Sequence, residues 1–237
     1  MADGTTSTST SNRGLSRDVV VETALRFIDR DGAQGLTMRA LGQDLGVAPM
    51  ALYRYVHGRE DLLEAIVDVL LDGVRQDLDD ELARSSWQGY LQTLAQGVRR
   101  IAVEHPAAFP LVATRHPAAP WLRPPLRSIE LVEDFLTTLK DYGFTDSQRV
   151  RAYRAFSSFL LGHLLLEAAT RGAETSPIEI ALDEGNAQVP NQHGRLDLGD
   201  KPETLHLRPM LSEDHSADEF AISLETLLDR FEMEMSQ

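Results

Sequence analysis

The chain has 237 residues, no cysteine and a formal net charge of −14. This length is ample for one or two domains with a sizeable core. The lack of cysteine excludes a disulfide framework and thiol chemistry. No apolar run reaches the ~18 residues of a membrane span, and the Ser/Thr-rich start has no signal-peptide pattern, so we expect a soluble, cytoplasmic protein without a membrane partner.

The charges are unevenly distributed along the chain. Residues 1–60 contain seven arginines and seven acidic residues, and the remainder carries the whole net charge of −14. An acidic body repels DNA everywhere except at a neutral docking face, which suppresses non-specific binding. The distribution is therefore compatible with a DNA-binding N-terminal segment.

The first predicted elements are an arm and a helix. Residues 1–13 are polar and are predicted to be a disordered arm. Ser16 is placed to cap a helix with an inner apolar stripe, and Asp31-Gly32 ends it.

Residues 36–59 predict two short helices joined by a tight turn. Thr37 can cap the first helix, and Leu41 and Leu45 form its apolar face. Gly46 ends that helix because glycine readily adopts positive φ. Pro49 lies in the first turn of the next helix, where its missing N–H has no cost. This pattern predicts a helix-turn-helix, although such hairpins also occur in ordinary helical proteins.

The second of these short helices has a buried pair, Leu52 and Val56, and a mixed exposed face. A short helix that exposes small, aromatic and basic residues is typical of a reader of the DNA major groove. The residues predicted to face outward are Pro49, Met50, Ala51, Tyr53, Arg54 and Tyr55.

The rest of the chain is predicted to be helical, with one long loop. Apolar spacing predicts helices over 60 to about 84, 87–103 and 126–142. Thr145-x-x-Gln148 and Ser216-x-x-Glu219 have the capping-box pattern and predict the starts of two further helices. Residues 172–215 predict a flexible loop with a short helix at 202–211.

The order of residues in the N-terminal segment resembles the TetR family of transcriptional regulators over roughly residues 15–71. The residues that carry it are Leu36-Thr37, Leu41, Leu45-Gly46-Val47, Ala51-Leu52-Tyr53, Tyr55-Val56 and Gly58-Arg59-Glu60-Asp61-Leu62-Leu63. The resemblance implies an all-α protein with a three-helix helix-turn-helix DNA-binding domain at 14–60 and a helical ligand-binding and dimerisation domain at 61–237. It also implies a homodimeric repressor that a small effector releases from palindromic operator DNA.

The match assigns roles in DNA binding residue by residue. Arg39 takes the position of a base-reading arginine, and Met50 and Ala51 would contact thymine methyl groups. Arg54 would contact either phosphate or base. The residues expected to hold phosphates are Thr37, Tyr53, Tyr55 and Arg59.

The C-terminal half resembles the tetracycline-repressor branch of the family, but departs from it at the ligand. The similar stretches are Ser86-Trp87-Gln88, Leu122-Arg123-Pro124, Leu161-Gly162 and the closing Phe220 to Glu232. The positions that hold the magnesium ligands and polar anchors there fall at Pro120, Leu166, Leu94 and Val98 here. We therefore expect no metal and no cofactor, and a largely apolar effector.

Two sets of body residues follow from this reading. The predicted ligand pocket consists of Leu94, Val98, Trp121, Leu131, Phe135, Phe156, Phe159 and His163. Helices 148–171 and 218–233 carry more apolar surface than one small bundle needs, so they are predicted to form a dimer interface rather than only core. Its predicted residues are Leu160, Leu164, Phe220, Leu224, Leu227, Leu228 and Phe231.

Two alternatives belong to other functional classes. His163 and Glu167 lie four residues apart on one helical face, so a metal-dependent enzyme is conceivable, with His105 and His116 completing the ligand set. The sequence has no HExxH motif and no glycine-rich phosphate loop. The other alternative is a helical small-molecule scaffold that does not bind an operator, which Met50 and Ala51 favour and Arg39 opposes.

Overall fold

The structure, a computed structural model, describes residues 15–114, 119–173, 202–211 and 213–235; the predicted arm, His116 and most of the predicted loop lie outside them. The described residues form nine α-helices and no β-strand, which confirms the all-α prediction. The helices are α1 (Arg17–Asp31), α2 (Met38–Asp44), α3 (Pro49–Leu52), α4 (Arg59–Leu78), α5 (Trp87–Glu104), α6 (Ile129–Asp141), α7 (Asp146–Thr170), α8 (Pro202–Leu211) and α9 (Ser216–Met235).

Helices α1 to α3 form a small N-terminal unit that we call the head. The Ser16 hydroxyl accepts from the backbone N–H of Val19, and the Thr37 hydroxyl from that of Ala40, so both predicted caps are confirmed. Between α2 and α3 the chain turns tightly, and a Cβ on Gly42 would lie only 2.9 Å from the Val47 carbonyl oxygen. The turn therefore requires glycine at position 42 as well as at Gly46, whose φ is 66°.

Helix α4 joins the head to the rest of the chain, which we call the body. Its inner face is buried along its whole length, from Leu62 to Leu78. The prediction that it continues to about residue 84 is wrong. The Arg84 guanidinium folds back and donates from Nε to the Leu78 carbonyl oxygen at 2.7 Å, so Arg84 caps α4 instead of extending it.

Helices α5, α6 and α7 form the centre of the body. Helix α5 packs closely on α4, since a Cβ on Gly97 would lie 3.1 Å from the Val74 methyl groups. Helix α6 begins at Ile129, later than the predicted 126, because Ser128 caps it through the N–H of Leu131. The predicted capping box at Thr145 and Gln148 is present and starts α7.

Helix α9 packs along α7 and reaches α5, where the Phe231 ring lies 6.5 Å from that of Trp87. The prediction of a capping box at Ser216 is wrong. The Ser216 hydroxyl donates to the Asp214 carboxylate, and the Glu219 N–H donates to the His215 carbonyl oxygen. Asp214 also accepts from the Ser216 N–H, and these hydrogen bonds lower its pKa.

Candidate nucleic-acid interface and ligand cavity

The head presents a continuous exposed face built from the start of α2 and from α3. Met50 is 75% exposed and Tyr53 44%, so both side chains are available to a partner. Six of the nine residues predicted to contact DNA are exposed on the head: Thr37, Arg39, Pro49, Met50, Tyr53 and Arg54.

The other three predicted DNA contacts are only partly exposed. Ala51 and Tyr55 lie beside the buried Leu52 and Val56, and Tyr55 packs against the core. The Arg59 guanidinium points back into the head, with weak hydrogen bonds to the carbonyl oxygens of Leu36 at 3.5 Å and Ala33 at 3.4 Å. Arg59 therefore braces the turn before α2, a contact between residues 26 positions apart that the sequence pattern does not reveal.

The arginines of the head fall into two groups. Arg17 pairs with Asp61 of α4 at 3.0 Å, and Arg30 pairs with Asp31 and Asp44, so both cations already have carboxylate partners. Within the described part of the chain, Arg39 and Arg54 form no ion pair, and both are exposed.

Asp61, the partner of Arg17, has a lowered pKa, because it accepts a hydrogen bond of 2.7 Å from the backbone N–H of His57 and contacts Arg17. It remains a carboxylate and keeps Arg17 engaged. Near α2 and α3, the exposed arginines without a carboxylate partner are therefore Arg39 and Arg54. Arg26 is also exposed and forms no ion pair among the described residues, but it lies on α1, where it donates to the Thr23 hydroxyl.

The body contains an apolar cavity between α5, α6 and α7. Its free volume is about 20 Å³, enough for about one water molecule. Burial raises the pKa of Tyr153 to about 12, and its hydroxyl donates to the Pro124 carbonyl oxygen. The cavity is lined by Leu94, Val98, Leu126, Leu131, Phe135, Tyr153, Phe156, Ser157, Leu160 and Leu161.

Five of the eight predicted pocket residues line this cavity: Leu94, Val98, Leu131, Phe135 and Phe156. The other three lie elsewhere. Trp121 is 73% exposed. Phe159 stacks on Phe220 of α9, and the Nε2 of His163 lies 3.1 Å from the Ser216 carbonyl oxygen. Phe159 and His163 occupy the side of α7 that faces α9, which is why they miss the cavity.

Sequence reasoning also missed half of the cavity lining. Three of the missed residues share the face of α7 that carries Phe156, because they lie one, three or four residues from it: Ser157, Tyr153 and Leu160. The helical period contained this signal. Leu126 is predicted as the first residue of a helix, but it precedes α6 and reaches the cavity from outside any helix.

The structure corrects the predicted dimer interface. Six of its seven residues are buried inside the chain itself: Leu160, Leu164, Phe220, Leu224, Leu228 and Phe231. Leu227 is half-buried. The large apolar residues that α7 and α9 expose to solvent are different ones, namely Val150, Leu166, Ile222 and Met233. Helices α7 and α9 turn the six buried residues toward the core of their own chain.

His163 and Glu167 do not form a metal-binding pair. Glu167 is buried and accepts hydrogen bonds from Arg99 at 2.6 and 3.0 Å and from Arg171 at 3.0 Å. Burial alone would raise the pKa of Glu167, but these two arginines outweigh it and the pKa is lowered. Its oxygens are thus already occupied by arginine.

These features define a class of protein: an all-helical regulator with a helix-turn-helix head and a ligand cavity in its body. The model of the N-terminal domain of bacterial regulatory proteins of the TetR family matches residues 20–66, and that of the tetracyclin repressor-like C-terminal domain matches residues 81–234. The chain belongs to the TetR family. It is a ligand-responsive, DNA-binding transcriptional regulator, and proteins of this family are not enzymes.

Relatives of the chain are named as transcriptional repressors or regulators. The transcriptional repressor DrrR1 of Streptomyces coeruleorubidus is 29% identical, over 94% of this chain and 79% of its own length. The class D tetracycline repressor of Escherichia coli is 26% identical, over 94% of this chain and 91% of its own. An uncharacterised regulator of Mycobacterium tuberculosis is 31% identical, over 65% of this chain and 70% of its own.

Solved structures share the fold. A possible TetR family regulator from Streptomyces coelicolor superposes with a TM-score of 0.69 and 25% identity, over 92% of this chain and 99% of its own. The Streptomyces coelicolor protein ActR in complex with actinorhodin gives a TM-score of 0.64 and 22% identity, over 94% of this chain and 100% of its own. No helix in the described ranges is long and apolar enough to cross a membrane.

Proposed function

We propose that the chain is a homodimeric, cytoplasmic repressor that binds a palindromic operator and is released from it by a small, largely apolar effector. The observation that carries the proposal is the apolar cavity between α5, α6 and α7, in the part of the body on which α4 packs. Relatives are named as repressors, and ActR is described as a complex with actinorhodin, which supports a repressor with an organic effector.

The exposed face of the head suits the DNA contacts. Arg39 is exposed and can bond guanine in two places, while Met50 and Ala51 offer apolar contact to thymine methyl groups. Thr37, Tyr53 and Tyr55 supply phosphate contacts, Arg54 reaches phosphate or base, and the part of Arg59 that faces solvent adds a further phosphate contact. In this proposal the DNA-binding domain is 14–60, which contains the head, and 61–237 is the ligand-binding and dimerisation domain.

Selection of DNA by the full-length protein tests this function. The protein is incubated with a pool of random duplexes, and bound duplexes are sequenced over several rounds. We expect an inverted repeat whose half-sites lie about 34–36 Å apart, or a multiple of this spacing. A pool that stays random after several rounds contradicts operator binding and favours the helical scaffold without DNA contacts.

The dimer is proposed to form through the outer faces of α7 and α9. On α7, Ala155, Ser158 and Gly162 are small and exposed, and a Cβ on Gly162 would meet open space. Leu166 continues the same stripe and is 72% exposed, and on α9 Ile222 is 64% exposed. Small residues flanked by exposed apolar ones allow two helices to approach closely and to bury a seam between two subunits.

The cavity also constrains the effector. Its lining is aliphatic and aromatic apart from two hydroxyl groups, those of Ser157 and Tyr153. The Tyr153 hydroxyl already donates a hydrogen bond to the Pro124 carbonyl oxygen. A charged ligand there would lose its hydration without gaining a counter-ion. The lining therefore favours a neutral, largely apolar effector over a metal-bound tetracycline.

A further inference from the structure

We infer that Arg127 is a positioning residue for DNA binding, because it holds the first turn of α4 against the wall of the ligand cavity. The inference rests on the proposed function. It identifies a residue of the body, outside the exposed face of the head, that sets the orientation in which the head meets its operator.

The contacts of Arg127 join three parts of the chain. One guanidinium nitrogen donates to Glu60 Oε2 at 2.9 Å and the other to the Thr114 hydroxyl at 3.2 Å. The backbone N–H of Arg127 donates to the Val112 carbonyl oxygen at 3.1 Å. Glu60 is the second residue of α4 and follows Arg59, which braces the head. Arg127 thus connects the body directly to the junction between head and α4.

The environment of Arg127 makes Glu60 its essential partner. The side chain of Arg127 is 5% exposed, and its buried Nε has no hydrogen-bond partner. Among the described residues, Glu60 is the one carboxylate in ion-pair contact with it. Removing Glu60 leaves the buried guanidinium without its counter-ion, which is unfavourable even though the Glu60 side chain is 62% exposed and solvent partly screens the pair.

The neighbour of Arg127 connects this pair to the cavity. Leu126 lines the cavity and lies outside any helix, just before α6. The cavity has about 20 Å³ of free volume, whereas sites for drug-sized ligands have several hundred. A ligand must therefore push the lining outward, and Leu126 has no helical hydrogen bonds to hold it in place. Displacing Leu126 displaces Arg127, and with it Glu60 and the start of α4.

The substitution Glu60→Gln tests the inference, because the inference and simple electrostatics predict opposite changes in operator affinity. It removes a negative charge near the DNA-binding face, which by electrostatics alone strengthens DNA binding. Loss of the contact with Arg127 instead loosens the head and weakens operator binding. We expect the full-length Glu60→Gln protein to bind the selected operator duplex about tenfold more weakly than the unmodified protein, by fluorescence anisotropy at fixed salt.

Glu64→Gln is the matched control. Glu64 lies one turn further along α4, and within the described residues it forms no ion pair. We expect operator affinity equal to or slightly above that of the unmodified protein. If Glu60→Gln also binds as tightly as the unmodified protein, or more tightly, the inference is overturned. If the unmodified protein selects no operator at all, the proposed function fails instead.

A double-mutant cycle with Arg127→Gln separates positioning from a general loss of stability. If the two side chains act through each other, the double variant binds operator no more weakly than Arg127→Gln alone, a coupling of about tenfold. Additive losses contradict the inference. Because Arg127 is buried, thermal unfolding is measured on every variant, and if Arg127→Gln does not fold, Arg127→Lys replaces it in the cycle. Lysine keeps the charge but lacks the fork that bonds Glu60 and Thr114 together.

Discussion

Arg39 is the residue whose role in the head can be tested most directly. It is exposed and forms no ion pair in the described part of the chain, so its guanidinium is available to a base. We expect Arg39→Ala to cost about 1–3 kcal/mol of operator binding and to relax the preference at one base pair of each half-site. The measurement is anisotropy against operators substituted at each position.

Arg30→Ala is the control for this substitution. Arg30 belongs to the same head, but Asp31 and Asp44 already neutralise it. Its loss is expected to leave base preference unchanged. If Arg39→Ala changes neither affinity nor base preference, the proposed docking of α3 in the major groove is contradicted.

Glu167 predicts a specific dependence of stability on pH. Its pKa in the folded chain is lowered by Arg99 and Arg171 despite burial, so the unfolded chain binds its proton more readily than the folded chain does. The stabilising contribution is complete above the usual glutamate pKa and is lost as pH falls through the lowered value. Glu167→Gln is therefore expected to destabilise the protein at pH 7 and to flatten the loss of stability in acid.

Urea unfolding of both proteins at pH 7 and in steps down to about pH 3, below the ordinary glutamate pKa of about 4.3, measures this effect. Glu225→Gln, an exposed position on α9, is the matched control and should follow the unmodified protein. Parallel curves for the unmodified and Glu167→Gln proteins contradict the ion-pair account.

The helix caps and the ion pairs show what the sequence can and cannot predict about single residues. The caps at Ser16, Thr37 and Thr145 depend on groups within three residues, and the sequence predicts all three. The pairs of Glu167 with Arg99 and of Glu60 with Arg127 join residues 68 and 67 positions apart. No local pattern specifies such contacts, because they depend on how the helices pack.

At the scale of helices, α7 and α9 carry core residues on one face and the residues of the proposed dimer interface on another. Leu224 of α9 is 3% exposed and Leu166 of α7 is 72% exposed. We expect Leu166→Asp to leave the fold intact while it shifts dimer to monomer and weakens operator binding, since its charge would be buried in the seam between subunits. Leu224→Asp places the charge in the core of one chain and should unfold it.

Light scattering for mass and circular dichroism for helix content distinguish these two outcomes. A helical monomer is expected for Leu166→Asp, and loss of helix or aggregation for Leu224→Asp. If the Leu166→Asp protein remains dimeric, the seam does not include the exposed stripe of α7. If the unmodified protein is a monomer at micromolar concentration, the dimer itself is contradicted.

Helical periodicity explains why the sequence predicts the positions of the helices better than the direction in which each apolar face points. Apolar spacing located the helices and their apolar residues, and it predicted that α7 and α9 carry a wide apolar surface. It does not say which apolar face meets the chain itself and which meets solvent. The sequence therefore assigned Leu160 and Phe220 to a partner subunit, whereas the structure buries both within one chain.

At the scale of the whole molecule, the charge distribution suits a DNA-binding regulator of this family. Residues 1–60 are neutral overall and offer Arg39 and Arg54 on the exposed face of the head, while residues 61–237 carry the acidic excess. Such a molecule can approach DNA productively only through the head. The size of the cavity explains why the sequence does not identify the effector: the walls have closed on about 20 Å³, and their positions around a ligand depend on that ligand.

The central claim is that the cavity and the operator-binding face are energetically coupled. It is tested most directly by calorimetry of an apolar ligand, found by thermal-shift screening, titrated into the protein alone and into its operator complex. Coupling of this kind typically amounts to about 1–3 kcal/mol, and it is reciprocal. We predict that operator weakens ligand binding by the same factor, about 5–150-fold, by which ligand weakens operator binding. Equal ligand affinities with and without operator would show that the two sites are uncoupled and would contradict the account.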